Sequence, residues 1–264
     1  MDHITHFRRE ARAFETAARR ALAAAEAPAV PSCPEWTVTD LVGHLGIVHR
    51  QVTGVIEARQ STPPEPGDPT FYRLPADRTG WPEPGRTPTR GPLPVGLVDW
   101  FAAGAEALAT CFEQTPADRV VWTWSAEQSV GFWQRMQAIE TAVHRWDAEH
   151  ALGQAGPMAV ELALDAIDRN FEVLVPARRA RRQAPPGSGE RLRFRRTDGE
   201  GAWVVCFAGD RFLIEDPQSP GQVEIAGTAS DLVLFLWQRI PADRLAVTGD
   251  RAVLDRYFTL APAV

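Results

Sequence analysis

Four stretches in the first part of the chain carry apolar residues at helical spacing. Ile4, Phe7, Ala11, Phe14, Ala18 and Leu22 predict a first helix over residues 3–27, ended by Pro28 and Pro31. Leu41, Leu45, Val48, Val52, Val55 and Ile56 predict a second from about Val38 to Arg59. Thr37 is its candidate N-cap, and Asp40 stands where a capping-box partner would. Leu97, Trp100, Phe101, Ala105, Leu108 and Phe112 predict a third over about Val95–Gln114. The fourth, Gly131–His150, has the stripe Phe132, Trp133, Met136, Ile139, Val143 and Trp146, and Gly153 is placed to end it. Amphipathic helices of similar length predict an antiparallel four-helix bundle, in which facing helices can build a metal site. Between the second and third helices, residues 61–94 are dense in proline and glycine, with Phe71, Tyr72 and Trp81 scattered through them. So long a connection is either functional or structureless, here a lid over a site or a surface excursion.

Beyond the fourth helix the pattern predicts a fifth over Met158–Val175, then an interdomain linker through Arg178, Arg179, Arg181, Arg182 and the 185–189 Pro/Gly run. From Glu190 the apolar period shortens to two. Leu192 and Phe194 alternate with arginines. Residues 202–207 and 211–215 read as strands joined by the hairpin signal Ala208-Gly209-Asp210. A strand at 223–226, a helix at 232–238 capped by Ser230 or Asp231, a strand at 245–248 and a terminal helix through Tyr257 and Phe258 complete the chain. The expected division is a helical bundle over 1–180 and a small α+β domain over 181–264, so that the fold is mainly α with an α+β module.

Two titratable residues interrupt the apolar stripe of the fourth helix. Glu140 falls inside it and His144 one turn further at its edge, an i, i+4 pair facing one way. A carboxylate on a core-facing stripe is costly unless it is paired, and a divalent cation shared with the imidazole would satisfy both groups. A hydrogen-bonded Glu–His pair at a helix rim would do the same without an ion. The second helix offers His44 on one edge of its stripe and His49 on the other, and periodicity does not choose between them.

Composition narrows the classes. Formal charge is −6, from 34 acidic and 28 basic residues, and every basic residue is arginine. The absence of lysine rules out a Schiff-base or P-loop lysine, and a mildly acidic chain does not suggest a nucleic-acid binder. Cys33, Cys111 and Cys206 are well separated, the usage of a reduced protein. The N-terminus reads as a charged amphipathic helix rather than a signal peptide, and no apolar run reaches ~18 residues. A cytoplasmic protein without a membrane span is expected.

Three motifs resemble one family in order along nearly the whole chain. Cys33-Pro34-Glu35-Trp36-Thr37-Val38-Thr39-Asp40-Leu41-Val42-Gly43-His44-Leu45 is similar to the Cys-Pro-x-Trp-Thr-Val-x-Asp-Leu-Val-x-His-Leu signature of mycothiol-dependent maleylpyruvate isomerases. Glu140-Thr-Ala-Val-His144-Arg-Trp-Asp147 resembles their Glu-x-x-x-His-x-x-Asp helix, and residues 226–239 resemble their Gly-x-x-x-Asp-Leu-x-Leu-x-Leu-Trp-x-Arg segment. The resemblance implies a DinB-like four-helix bundle with one divalent metal, usually zinc, followed by a sterol-carrier-protein-like domain. It implies metal ligands at His44, Glu140 and His144, which selects His44 over His49, and a looser match of a functional arginine to Arg239. Asp147 would orient the site. Two imidazoles and one carboxylate leave a fourth position open, as in catalytic zinc sites, and an open zinc favours the thiolate of a bound thiol. The resemblance supplies that thiol as mycothiol, and the partner as a small electrophile. The expected reaction is cis–trans isomerisation of a maleylpyruvate-like diacid, or thiol S-transfer, with Arg239 holding a substrate carboxylate. A protein of this kind would act as a monomer or homodimer. The alternative is a non-catalytic small-molecule-binding module with a structural or vestigial metal. Glu35 and the proline-laden 61–94 segment depart from the commonest family pattern and bear on the substrate more than on the metal.

Overall fold

The computed structural model describes residues 1–65, 69–83 and 86–262. They form two compact units, 1–156 and 157–264. The first is a bundle of α1 (His3–Ala21), α2 (Val38–Glu57), α3 (Val95–Gln114) and α4 (Val130–Ala151). α1 packs chiefly on α4, and α2 on α3. Phe7, Phe14, Leu41, Leu45, Leu97, Phe101, Phe112 and Phe132, the residues that set the predicted stripes, are fully buried between them. A buried ion pair also joins α1 to α4: Arg145 Nε donates to Glu10 Oε2 at 2.9 Å. Breaking such a pair strands the other charge, so it fixes the register of the two helices as well as their contact.

α2 begins as its sequence predicts. The Thr37 N–H donates to Asp40 Oδ2 at 2.8 Å, and Asp40 also accepts from the backbone and hydroxyl of Thr89. α1 ends at Ala21, short of the predicted 27, and the chain then forms a short antiparallel bridge between Ala29 and Thr37. By length and composition alone α3 could cross a membrane, but half of it is buried within the bundle, as befits a core helix.

Gly43, Gly46 and Gly54 share a face of α2 turned roughly a third of a turn from His44. The described part of the 61–94 segment packs there and along α3. A Cβ on Gly54 would meet the Phe71 ring at 2.0 Å, and one on Gly43 would stand 3.1 Å from Pro82. Trp81 packs on Trp100 at 5.2 Å, and Trp100 Nε1 donates to the Tyr72 carbonyl at 3.2 Å. Where described, then, the segment is not a free excursion: it packs on α2 and α3, and Thr89 bonds Asp40 one turn before His44. A Cβ on Gly46 would stand 2.1 Å from the Trp100 indole. Gly46→Ala is expected to cost about 1–3 kcal/mol through overpacking, read as a lower urea midpoint. Gly96→Ala, which meets nothing within 4 Å at the start of α3, is the control and is expected to be neutral or slightly stabilising.

The second unit begins at Pro157, not at the expected 180/181 boundary. α5 (Val160–Arg169) buries Leu162, Ala163, Ala166 and Ile167, and it packs on α7 (Ala229–Leu236), so the fifth helix belongs to this unit. Trp203 Nε1 donates to Asp168 at 2.6 Å and Phe171 packs on Phe194, tying it to the sheet as well. The helix does not stop at Val175. It passes through a π-helical turn at Asn170–Leu174 into α6 (Val175–Arg182). Pro176 lacks an N–H and would crowd the carbonyl four residues back, and a widened turn just before it accommodates both faults. The expected linker is therefore the end of a helix and the start of a strand.

The strands β1 (Gly187–Arg196), β2 (Ala202–Gly209), β3 (Arg211–Glu215), β4 (Val223–Gly227) and β5 (Ala246–Gly249) form one sheet in the order β3-β2-β1-β4-β5. β1 and β4 run parallel and the other pairs antiparallel. Leu192 and Phe194 point inward, while the intervening arginines pair on the other face: Arg191 with Glu215, and Arg193 and Arg195 with Glu224. Thr228, not Ser230 or Asp231, caps α7, its Oγ1 accepting from the Asp231 N–H at 3.1 Å. Two short helices, Arg251–Asp255 and Tyr257–Leu260, close the core with the fully buried Tyr257.

Candidate metal centre

The polar residues that interrupt the stripes of α2 and α4 meet across the bundle. His44, Glu140 and His144 each offer a donor atom, and these atoms lie within 4.8 Å of one another. His44 Nε2 is 3.2 Å from Glu140 Oε1, and the two imidazoles stand edge to face at 5.0 Å. Donors ~2.1 Å from a tetrahedral cation stand ~3.4 Å apart. The nitrogen, oxygen and nitrogen set therefore suits a borderline divalent ion in type, and the His44–Glu140 separation of 3.2 Å matches that spacing. Among the described residues no fourth His, Cys, Asp or Glu joins the group.

The three donors are held from behind. His144 Nδ1 lies 2.9 Å from Asp147 Oδ2, and Asp147 Oδ1 accepts from the Ser32 hydroxyl at 2.6 Å. An ionised carboxylate only accepts, so the proton is on Nδ1 and the Nε2 lone pair is left for a ligand role. Gln137 Nε2 donates to Glu140 Oε2 at 3.1 Å, which leaves Oε1 toward His44. Gln137, Glu140, His144 and Asp147 are spaced by three and four residues, so one face of α4 carries ligands and supports together. Ser32 and Trp36 come from the turn before α2. The Val30 N–H donates to the Trp36 carbonyl at 2.9 Å and the Trp36 N–H to the Cys33 carbonyl at 2.8 Å. This ring of backbone bonds sets the Trp36 indole 5.1 Å from His44 and stacked at 6.3 Å on His144.

Exposure is graded across the triad: the side chains of His144, Glu140 and His44 are 9%, 22% and 32% exposed. The open side therefore lies toward α2. Burial, the largest influence on Glu140, pushes its carboxyl up. The His44 hydrogen bond and the charges of His44, His144 and His49 outweigh it and hold the group at about 2. It is an anion throughout the physiological range, ready for a cation.

His49 has a different role. It is fully buried between Phe7 and Phe101, with Nε2 3.1 Å from the Thr141 hydroxyl. Burial, modified by the nearby Glu140, His44, Arg50 and His144, drives its pKa down to about 3, so it is neutral when folded. The unfolded chain takes up this proton near pH ~6.5 and the folded one does not until about 3. Folding stability from this group is thus complete above the unfolded value and falls as pH drops below it. Between pH 7 and 5 the wild type is expected to lose ~2 kcal/mol more than His49→Gln, by denaturant titration at each pH.

Cys111 and Cys206 are buried, and burial raises both thiols. Cys33 is half-buried in the turn before α2. None forms a disulfide.

This arrangement can be set beside known proteins. The model of the mycothiol maleylpyruvate isomerase N-terminal domain matches residues 7–149, and that of the MDMPI C-terminal domain matches residues 161–256. The chain belongs to the mycothiol maleylpyruvate isomerase family. The two matches fall on either side of the division at 156/157. Among solved structures, a mycothiol-dependent maleylpyruvate isomerase and a histidine-to-alanine mutant of it share the fold. Each has a TM-score of 0.57 at 13% identity, over 93% of this chain and 91% of the other. A search of curated proteins finds no match.

Of the residues singled out by this family's motifs, His44, Glu140, His144 and Asp147 are brought together. Arg239 belongs to the second unit, just past α7, where Nη1 donates to the Trp237 carbonyl at 2.8 Å. Sequence reasoning missed Ser32 and Gln137. Gln137 had a signal, three residues before Glu140 on the same face. Ser32 had none, because its partner lies 115 residues away.

Proposed function

We propose that the protein is a divalent-metal-dependent enzyme, with zinc the expected ion, that uses a low-molecular-weight thiol against a small electrophile. In this reading the thiol is mycothiol. The observation that carries it is the triad itself: three donors on two helices, with no fourth acidic, histidine or cysteine donor among the described residues. Three protein ligands and an open position are the pattern of a catalytic site, whereas structural zinc sites are closed by four.

His44, Glu140 and His144 would hold the cation, and bound there it would lower the pKa of a thiol at the open position toward neutrality. The chain's own contribution is orientation and exclusion. Asp147 and Ser32 keep His144 in the tautomer that presents Nε2, and Gln137 holds one Glu140 oxygen away so that the other faces His44. Trp36 packs against both imidazoles from the turn before α2. The cosubstrate's thiolate would add to the alkene carbon β to the ketone of a maleylpyruvate-like substrate, the electron pair passing to the enolate oxygen; after rotation about the resulting single bond, elimination would restore the alkene in trans geometry and release the thiolate. With a substrate that carries a leaving group, the same attack ends in S-transfer. Arg239 is the group proposed to hold a substrate carboxylate, bidentately if the geometry allows two parallel bonds.

Chromatography that separates the cis and trans diacids, with mass detection, of a reaction of metal-loaded protein, mycothiol and maleylpyruvate tests this. A product of unchanged mass formed only with thiol and metal supports isomerisation, and a thiol adduct supports transfer. Turnover at the same rate without added thiol would refute the proposal.

A further inference from the structure

A cavity of about 210 Å³ lies where α2, α3 and the residue after the turn Pro69–Tyr72 meet. Two guanidinium groups line it, those of Arg50 and Arg73, together with Thr53 and the small residues Ala103, Gly104 and Ala107 of α3. Arg50 stands six residues past His44, about 240° further round the helix, so the cavity opens on another face of α2 than the triad. We propose that it binds a small oxyanion, a carboxylate or phosphate group gripped by Arg50 and Arg73, at a site independent of the metal-dependent reading.

One tryptophan places both cations. The buried Arg50 guanidinium lies over the Trp100 ring at 4.0 Å, and its Nη2 donates to the Trp100 carbonyl at 2.6 Å. Its Nη1 donates to the Gly46 carbonyl at 3.3 Å. Those bonds leave other N–H donors of the fork for a ligand. Gly104 makes the approach possible, since a Cβ there would stand 2.1 Å from Arg50 Nη1. Trp100 Nε1 in turn donates to the Arg73 carbonyl at 3.3 Å, which holds the backbone of the second arginine. Arg73 is exposed and gives one nitrogen to Glu57, so the rest of its fork remains for the cavity. Thr53 spends its proton on the His49 carbonyl at 2.8 Å and is not counted as a donor.

Charge supplies the driving force. Elsewhere in this bundle a buried arginine comes with acids: Arg145 pairs with Glu10 and Glu149. Arg50 instead meets carbonyl dipoles and an indole face, and the charge nearest in effect is the like one of Arg73. Burial first, and then Arg73, lower its pKa to about 10. An anion between the two guanidiniums offsets their repulsion and a desolvation cost already met on folding. Arginine forks suit the oxygens of carboxylate and phosphate, which they can hold by two parallel bonds. An apolar cavity of ~150 Å³ is enough to hold benzene. At about 210 Å³ this one has room for phosphate, or for a carboxylate on a short carbon chain.

Equilibrium dialysis of the full-length protein with radiolabelled inorganic phosphate, and separately with labelled acetate, at fixed ionic strength tests the proposal. Arg50→Gln removes the buried cation. Arg73→Gln and Ala103→Glu, both at exposed positions, keep the test open should that variant fail to fold. Ala103→Glu brings a tethered carboxylate to the cavity wall. His144→Ala separates this site from any anion held by a metal at the triad. The expected result is saturable uptake of about one anion per chain, weakened at least about tenfold in each folded cavity variant and retained in His144→Ala. Uptake of acetate as well as phosphate would mark the natural ligand as a carboxylate, and uptake of phosphate alone would mark it as a phosphate. No saturable uptake of either anion by the wild type, undiminished uptake by a folded cavity variant, or uptake lost in His144→Ala would each overturn the proposal. The first two outcomes leave the proposed function standing, because none of the three metal donors takes part in this cavity.

Discussion

His144→Ala is expected to weaken divalent-metal binding by at least about a hundredfold, because it removes one of only three protein donors, and loss of an outer hydrogen-bond partner alone costs about 10–100-fold. Metal content after dialysis against a competing chelator reads this directly. The folded bundle should survive: His144 sits at the rim of the α4 stripe, and the core phenylalanines do not depend on it. The effect should therefore be loss of metal without loss of helical signal. Equal metal in wild type and variant would mean that the ion, if any, is held elsewhere.

The second large effect is expected at a residue that is not itself one of the three donors. Asp147 is fully buried, accepts from Ser32 and His144, and by doing so decides which nitrogen of His144 is free. Asp147→Asn keeps the shape but can present an amide N–H where the carboxylate accepted. Either the amide turns its oxygen to His144 and its N–H to Ser32, whose hydroxyl must then accept instead of donate, or His144 shifts its proton to Nε2 and is no longer a ligand. Metal affinity is expected to fall about 10–100-fold. Ser32→Ala, which leaves the His144–Asp147 pair in place, should fall well short of that. A merely structural role for Asp147 would lower the melting temperature and leave the affinity of the folded protein unchanged.

The contrast between His44 and His49 shows what a single helix can and cannot reveal. Both border the apolar stripe of α2, and their periodicity is equally good. What separates them is the residue opposite on α4, Glu140 for one and Thr141 for the other. These neighbours in sequence face different histidines, and nothing within α2 records that. The bundle itself was legible because its apolar repeats run the length of each helix and are broken only where the site lies. The predicted limits of the third helix are the observed ones, and the cap of the second follows from Thr37 and Asp40. The domain boundary was misplaced because the Arg- and Pro-rich run at 178–189 reads like a linker when its partners are unseen. Arg179 is in fact buried, its guanidinium donating to the Leu260 carbonyl, and the run joins a helix to a strand inside one unit. The pocket that Trp122, Trp124 and Trp133 line beside Glu140 was illegible for a related reason. Trp122 and Trp124 stand in a short connection, and only the approach of α2 gives them a shared space to line.

Anomalous diffraction from crystals of the zinc-loaded protein is the most direct test of the site. The expected result is one strong peak within ~2.2 Å of a nitrogen of His44, an oxygen of Glu140 and Nε2 of His144, with no other atom of the chain at the fourth position. A peak away from these three residues, or one closed by a fourth protein ligand, would contradict it.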